Sequence, residues 1–200
     1  MLRANVIFVD VDTQLDFMSP AGRLYVPRAT EIVENLRRLT EYARSHAIPI
    51  IASACAHREG DPEFHVFPPH CVKGTAGQRR IPETEHPHAP LVGTVLDEAA
   101  GAKFEQAGVV VLEKEVYDFF SNPNADRVIA AAPEAEFVVY GVATDYCVRA
   151  GVLGLCDRGR KVTVVSDAIR AVDAKQGAAA MGEFRRRGVR FATTDEICSR

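Results

Sequence analysis

Apolar residues fall along this chain in short continuous runs, separated by stretches in which they recur at helical spacing. The runs at 5–11, 48–54, 109–113, 136–142, 161–166 and 189–192 are mostly β-branched, the composition of strands buried on both faces of a parallel sheet. At 30–46, Ile32, Val33, Leu36, Leu39, Tyr42 and Ala43 recur at steps of three and four with Glu and Arg between them, and Thr30 stands where a helix cap belongs. Patterns at 124–132, 145–158 and 174–187 predict further helices. This alternation predicts an α/β fold: a three-layer α/β/α, doubly wound, Rossmann-like, mostly parallel sheet of about six strands. Residues 55–91 fit neither period. They are rich in Pro, His, Gly and charge, too long for an idle connection, and read as a functional loop.

Composition narrows the function classes. With 200 residues, of which 47% are hydrophobic and 26% charged, the chain can bury a sizeable core, and one domain spanning 1–200 is expected. A net charge of -3 offers no broad positive field, so no nucleic-acid partner is expected. No apolar run approaches the roughly 20 residues that span a bilayer, and no signal-peptide pattern opens the chain, so the expected location is cytoplasmic and away from membranes. Five cysteines, Cys55, Cys71, Cys147, Cys156 and Cys198, form an odd count without regular spacing, which suits free thiols better than a disulfide framework.

In open α/β sheets, ligands bind beyond the carboxyl ends of the strands. The polar residues that follow the runs are Asp12 and Gln14, then Cys55 and His57, then Lys114, then Thr144, Asp145 and Cys147. Cys147 falls in the first turn of an expected helix, where free N–H groups and a partial positive charge stabilise a thiolate and can hold an oxyanion. The same position also suits a small buried residue. Asp12 shares seven residues with Asp10 and Asp16, and crowded acids shift one another's affinity for protons. The structural alternative, expected for at least one of the pair, is that Asp16 caps the following turn and Asp10 is solvated. Lys114 leaves a buried run and could place positive charge beside a thiolate or oxyanion. The long loop carries Cys55, His57, Asp61, Glu63, His65, His70 and Cys71, a density that suits zinc but matches no fixed zinc spacing. His46 belongs at a helix end, and His86 and His88 read as surface.

Asp12-Thr-Gln14-Leu-Asp16-Phe17, Lys114 with Phe120, Gly141-Val-Ala-Thr-Asp-Tyr-Cys147 and Phe67-Pro-Pro-His70-Cys71 occur in one order along the chain. Together they resemble the isochorismatase-like cysteine hydrolases, a family that includes the nicotinamidases. The resemblance implies a catalytic triad of Asp12, Lys114 and Cys147. It also implies an oxyanion hole from the amides of Ala143 and Cys147, and a cis peptide between Val142 and Ala143. The implied reaction is hydrolysis of a small carboxamide through a thioester, with ammonia released. Gln14, Phe17, Phe120 and Tyr146 are the expected substrate contacts. A divalent metal, zinc foremost, is implied on Cys55, His57, Glu63 and His70. No organic cofactor is implied, and a homo-oligomer is. The family's Asp two residues before the first loop histidine is Cys55 here, which leaves either an altered metal site or its loss. Isochorismatase-type or N-carbamoyl hydrolysis, and ligand binding without turnover, stand as the alternatives.

Overall fold

The computed structural model describes every residue except Met1, Arg3 and Arg200. Its strands are β1 (Val6–Val11), β2 (Ile50–Cys55), β3 (Leu91–Val92), β4 (Val109–Lys114), β5 (Glu136–Val142), β6 (Lys161–Arg170) and β7 (Arg190–Ala192). The helices are α1 (Leu15–Met18), α2 (Val33–Ser45), α3 (Ala100–Ala107), α4 (Ala125–Ala130), α5 (Cys147–Asp157), α6 (Ala174–Arg186) and α7 (Thr194–Cys198). All seven strands pair in parallel, in the order β3-β4-β2-β1-β5-β6-β7.

The sheet has one strand more than expected. The addition, β3, pairs only Leu91 and Val92 with β4 at the sheet edge, and two residues leave no periodic pattern. The helix α3 was also not expected, because only Ala100 and Phe104 of its eight residues are buried. Thr30 does not cap α2. It lies inside a 3₁₀ turn, Ala29–Ile32, and α2 begins at Val33 with Ile32 as its uncapped neighbour.

Two cores flank the sheet. Ile7, Val9 and Val11 of β1 face α3, α4, α5 and α6, while Phe8 faces α2 and α7. Apolar residues on successive positions of β1 are therefore buried on opposite sides, which explains its unbroken hydrophobic run. The chain leaves β1 toward β2 on one side and leaves β5 toward β6 on the other, so the strand order reverses between β1 and β5. A crevice opens at the carboxyl ends of such a pair. Close approach there depends on Gly141. Its φ is 111°, and a Cβ added to it would lie 2.1 Å from the Val11 carbonyl oxygen.

Candidate active site

Asp12, Cys55, Lys114 and Cys147 come from the carboxyl ends of β1, β2, β4 and β5, four neighbours in the sheet. Register sets their alignment, with Cys55 opposite Lys114 and Val11 opposite both Ser53 and Gly141. Asp12 leaves β1 with a φ of 50°, a left-handed conformation that Asp tolerates better than most residues. Lys114 Nζ lies 2.7 Å from Asp12 Oδ2, 3.0 Å from Cys55 Sγ and 3.6 Å from Cys147 Sγ. Ser53 Oγ donates to Asp12 Oδ1 at 2.6 Å. Ser53 was not among the expected site residues, although a hydroxyl within the buried run of β2 is a legible anomaly.

Asp12 and Lys114 are buried, so their charges depend on each other. Burial pushes Asp12 up, yet the Lys114 ammonium and hydrogen bonds from Cys147, Lys114 and Ser53 outweigh it and hold the carboxyl below its ordinary value. Burial would lower Lys114, but Asp12, Cys147 and Cys55 raise it well above the ordinary lysine value. Cys147 departs from the expectation of a preformed thiolate. A hydrogen bond with Cys55, burial and the Asp12 charge push its thiol up, against the pull of Lys114. The resting site is thus a carboxylate, an ammonium and a thiol. Cys147 opens α5, whose first-turn amides have no acceptor within the helix. The Val142–Ala143 peptide is cis, as the resemblance implied.

The long loop folds back over this end of the sheet. Gln14 holds it to β2: its side chain accepts from Cys55 N at 2.7 Å and donates to the carbonyls of Cys55 at 2.8 Å and Gln78 at 2.7 Å. Gln14 therefore positions Cys55 and is not part of the cavity wall. Asp16 likewise accepts from Cys71 N and Arg23 N, tying two loops together. Asp10 is not solvated. It is buried in an ion pair with Arg80, accepts from Thr13 Oγ1 at 3.0 Å, and has its proton affinity raised because burial outweighs Arg80. Arg80 also donates to the carbonyls of Ser53 and Thr84 at 3.0 Å, so this pair staples the loop to β1 and β2.

Beside the triad, donor atoms of Cys55, His57 and His70 lie within 4.8 Å of one another, and all three residues are buried. His57 Nδ1 is 3.3 Å from Asp61 Oδ2 and Nε2 is 3.4 Å from Glu63 Oε2, but neither ring nitrogen makes a hydrogen bond. His70 Nδ1 contacts the Pro68 carbonyl at 2.9 Å, and burial lowers its ring's affinity for protons. Burial raises that of Glu63. A divalent cation of the kind the resemblance implies fits this donor set, because buried imidazole nitrogens without partners are otherwise costly. His65 is exposed and takes no part in it.

A cavity of about 120 Å³ opens against Cys147. Phe17, Phe67, Tyr117 and Tyr146 are its aromatic lining, which also includes Val142, Ala143, Cys55, Glu63 and His70. Phe17 and Tyr146 thus stand where expected. Phe120 does not: its ring lies beneath the Arg158 guanidinium at 3.6 Å and against Gly154, on the outer side of α5. The first half of the Phe119-Phe120 pair faces the core, so the second is turned away from the crevice. Phe67 and Tyr117 take the place expected of Phe120.

An isochorismatase domain model matches residues 6–196. The nicotinamidase of Escherichia coli (strain K12) is 28% identical over 187 residues, covering 82% of each chain. The N-carbamoylsarcosine amidase of Thermoplasma acidophilum superposes with a TM-score of 0.75 at 27% identity, over 96% of this chain and 97% of that one. The pyrazinamidase of Pyrococcus horikoshii, solved in complex with zinc, gives 0.77 at 24% identity, over 94% and 99%. Among the described residues, no helix is long and apolar enough to cross a membrane.

Proposed function

The chain belongs to the isochorismatase family, and from that premise we propose that it is a cysteine-dependent amidohydrolase of small, uncharged, ring-bearing carboxamides such as nicotinamide. The observation that carries the reading is the set of Asp12, Lys114 and Cys147, with the thiol at the wall of an apolar cavity. Named relatives that hydrolyse amides, the E. coli nicotinamidase and the T. acidophilum N-carbamoylsarcosine amidase, support the reaction class.

Asp12 takes the Cys147 proton as sulfur attacks the amide carbon, so the thiolate forms only as it is consumed. The carbonyl oxygen becomes negative and is met by the amides of Cys147 and Ala143. Lys114 keeps its proton throughout and balances the charge that passes between Asp12 and sulfur. As the tetrahedral centre collapses, the C–N bond breaks and Asp12 returns its proton to nitrogen, releasing ammonia. Asp12 then removes a proton from water, which attacks the thioester. The C–S bond breaks, the acid leaves, and the proton returns to Cys147. A divalent cation on His57 and His70 would supply a Lewis-acid contact at the cavity wall when bound.

The cavity selects the substrate class. At about 120 Å³ it is well below the roughly 300–1,000 Å³ of sites for drug-sized ligands, which suits a single ring. Among the described residues its lining includes Glu63 and no Arg or Lys, so without a bound cation a substrate carboxylate enters unpaired. This weighs against isochorismatase-type and N-carbamoyl amino acid substrates. The test is ammonia release from nicotinamide, with Cys147→Ala as the control and folding checked by circular dichroism. We expect turnover in the wild type and a loss of at least ~10³-fold in the variant. Release that survives Cys147→Ala would overturn the mechanism. A well-folded wild type inactive on nicotinamide and on other neutral ring carboxamides would overturn the substrate class.

A further inference from the structure

We propose that Cys55 and Cys147 are a redox-sensitive modification site, in which a hydroperoxide entering the cavity joins the two sulfurs as a disulfide that a dithiol reverses. The chemistry rests on the sulfurs and their neighbours and needs no amide turnover, so it stands whether or not the amidase reading does.

Two thiols meet at one charge pair. Cys55 ends β2, Cys147 opens α5 just beyond β5, and β2 and β5 lie on either side of β1. Both sulfurs reach to Asp12, which follows β1. Cys55 Sγ donates to Asp12 Oδ2 at 3.8 Å, and Cys147 hydrogen-bonds the same carboxylate. Lys114 Nζ meets both sulfurs, at 3.0 Å and 3.6 Å. The thiols also hydrogen-bond each other. Gln14 holds Cys55 at its N–H and its carbonyl, so the approach to a sulfur–sulfur bond of about 2 Å falls to the first turn of α5. The other buried thiol, Cys71, contacts the Gly77 carbonyl at 3.9 Å instead.

The oxidant has a route. Cys55 and Cys147 both line the cavity, whose volume of about 120 Å³ is several times the roughly 30 Å³ that a water takes up in the liquid, so hydrogen peroxide fits. A thiolate is the attacking species, and Asp12 and Lys114 are placed to make one and to balance its charge.

Asp12 takes the Cys147 proton as sulfur attacks one peroxide oxygen. The O–O bond breaks, the leaving hydroxide receives that proton from Asp12 and departs as water, and Cys147 becomes a sulfenic acid, oxidised by two electrons. Cys55 sulfur then attacks the sulfenic sulfur. The S–S bond forms, the S–O bond breaks, and hydroxide leaves with the Cys55 proton, passed through Asp12, as a second water. Two thiols and one peroxide have become one disulfide and two waters. A dithiol reverses the link by exchange, returning two electrons and two protons. Lys114 keeps its proton throughout.

The test treats the full chain at neutral pH with a small excess of hydrogen peroxide, with and without prior chelation, and maps peptides by mass spectrometry without reductant. We expect a peptide pair joining Cys55 to Cys147, the loss of two titratable thiols under denaturing conditions, and recovery of both with dithiothreitol. A link in either sample supports the proposal. Cys55→Ser, checked for folding by circular dichroism, should form no link. Its Cys147 has no resolving thiol and should pass to the sulfinic acid, so oxygen that dithiothreitol does not remove should exceed the wild-type amount by at least ~10-fold. Cys147→Ala should form no link either. No link between Cys55 and Cys147 in either sample, a link from Cys147 to Cys71, or oxidation of Cys55→Ser that dithiothreitol reverses as fully as in wild type would overturn the proposal. A protein that links as expected but whose reduced form releases no ammonia from nicotinamide would instead count against the amidase reading alone.

Discussion

Lys114 and Asp12 form a charge pair sealed from water, with the ammonium 1% exposed and the carboxylate fully buried. Removing one partner strands the other. Lys114→Met should therefore lower unfolding stability by ~3–5 kcal/mol in urea titrations, in addition to abolishing turnover. Adding Asp12→Asn to that variant removes the stranded carboxylate and should restore part of the stability without restoring activity. A single variant as stable as wild type would show that the carboxylate is not held as an anion by the pair. Cys147→Ser is the complementary probe. The hydroxyl is nearly isosteric with the thiol, so folding should persist. Its much weaker acidity should cost ammonia release at least ~10³-fold, because Asp12 alone must then generate an alkoxide. The buried thiol of Cys71 gives a useful contrast. Burial pushes it far up and its backbone amide is bound to Asp16, so alkylation at neutral pH should leave it untouched.

At the level of elements, the crevice depends on how closely β5 approaches β1. Gly141→Ala places a methyl against the Val11 carbonyl in a backbone conformation that disfavours side chains. Displacement of β5 moves Ala143 and Cys147 with it, so kcat should fall together with thermal stability, readable by activity assay and melting curve. The strands and long helices were legible because their apolar runs and stripes are driven by burial. The termini of α2 and the edge strand β3 were not, since neither Thr30 nor Leu91–Val92 carries enough local signal. Motif order singled out Asp12, Lys114 and Cys147 as candidates, but their geometry was not legible. Asp12, Cys55, Lys114 and Cys147 meet only because β4, β2, β1 and β5 are adjacent, and strand order is not a local property. Asp10 was misread for the same reason, because its partner Arg80 lies far along the chain. His86 is pushed down to about 3 by burial and by the Arg80 and Arg44 charges. A folded-state value below the ordinary 6.5 means that its contribution is present above pH 6.5 and is lost as pH falls toward 3. His86→Gln should flatten that acid-side decline in stability. An unchanged slope between pH 6.5 and 4 would show that the imidazole is free to protonate in the fold.

Across the whole molecule, charge and cavity chemistry point the same way. A net charge of -3 gives no general attraction for anions, and the cavity at Cys147 is walled mostly by apolar side chains such as Phe17, Phe67, Tyr117 and Tyr146, with Glu63 and His70 also in its lining. An apolar wall of this kind rewards burial of a neutral ring, at roughly 25 cal/mol for each Å² of apolar surface removed from water. Its side chains offer a substrate carboxylate no partner, and a buried unpaired charge is far more costly than a missing methylene. Discrimination should therefore follow charge before size. At neutral pH, kcat/KM for nicotinamide should exceed that for N-carbamoylglycine by at least ~10²-fold, and benzamide, which keeps the ring but lacks the ring nitrogen, should lie between them. Phe17→Ala should raise KM for both ring amides with a smaller effect on kcat, since the ring is bound in ground and transition states alike. Equal kcat/KM for the neutral and anionic substrates would mean that a cation, a side chain beyond this wall or a metal on His57 and His70, meets the carboxylate, and the neutral-amide reading would fall.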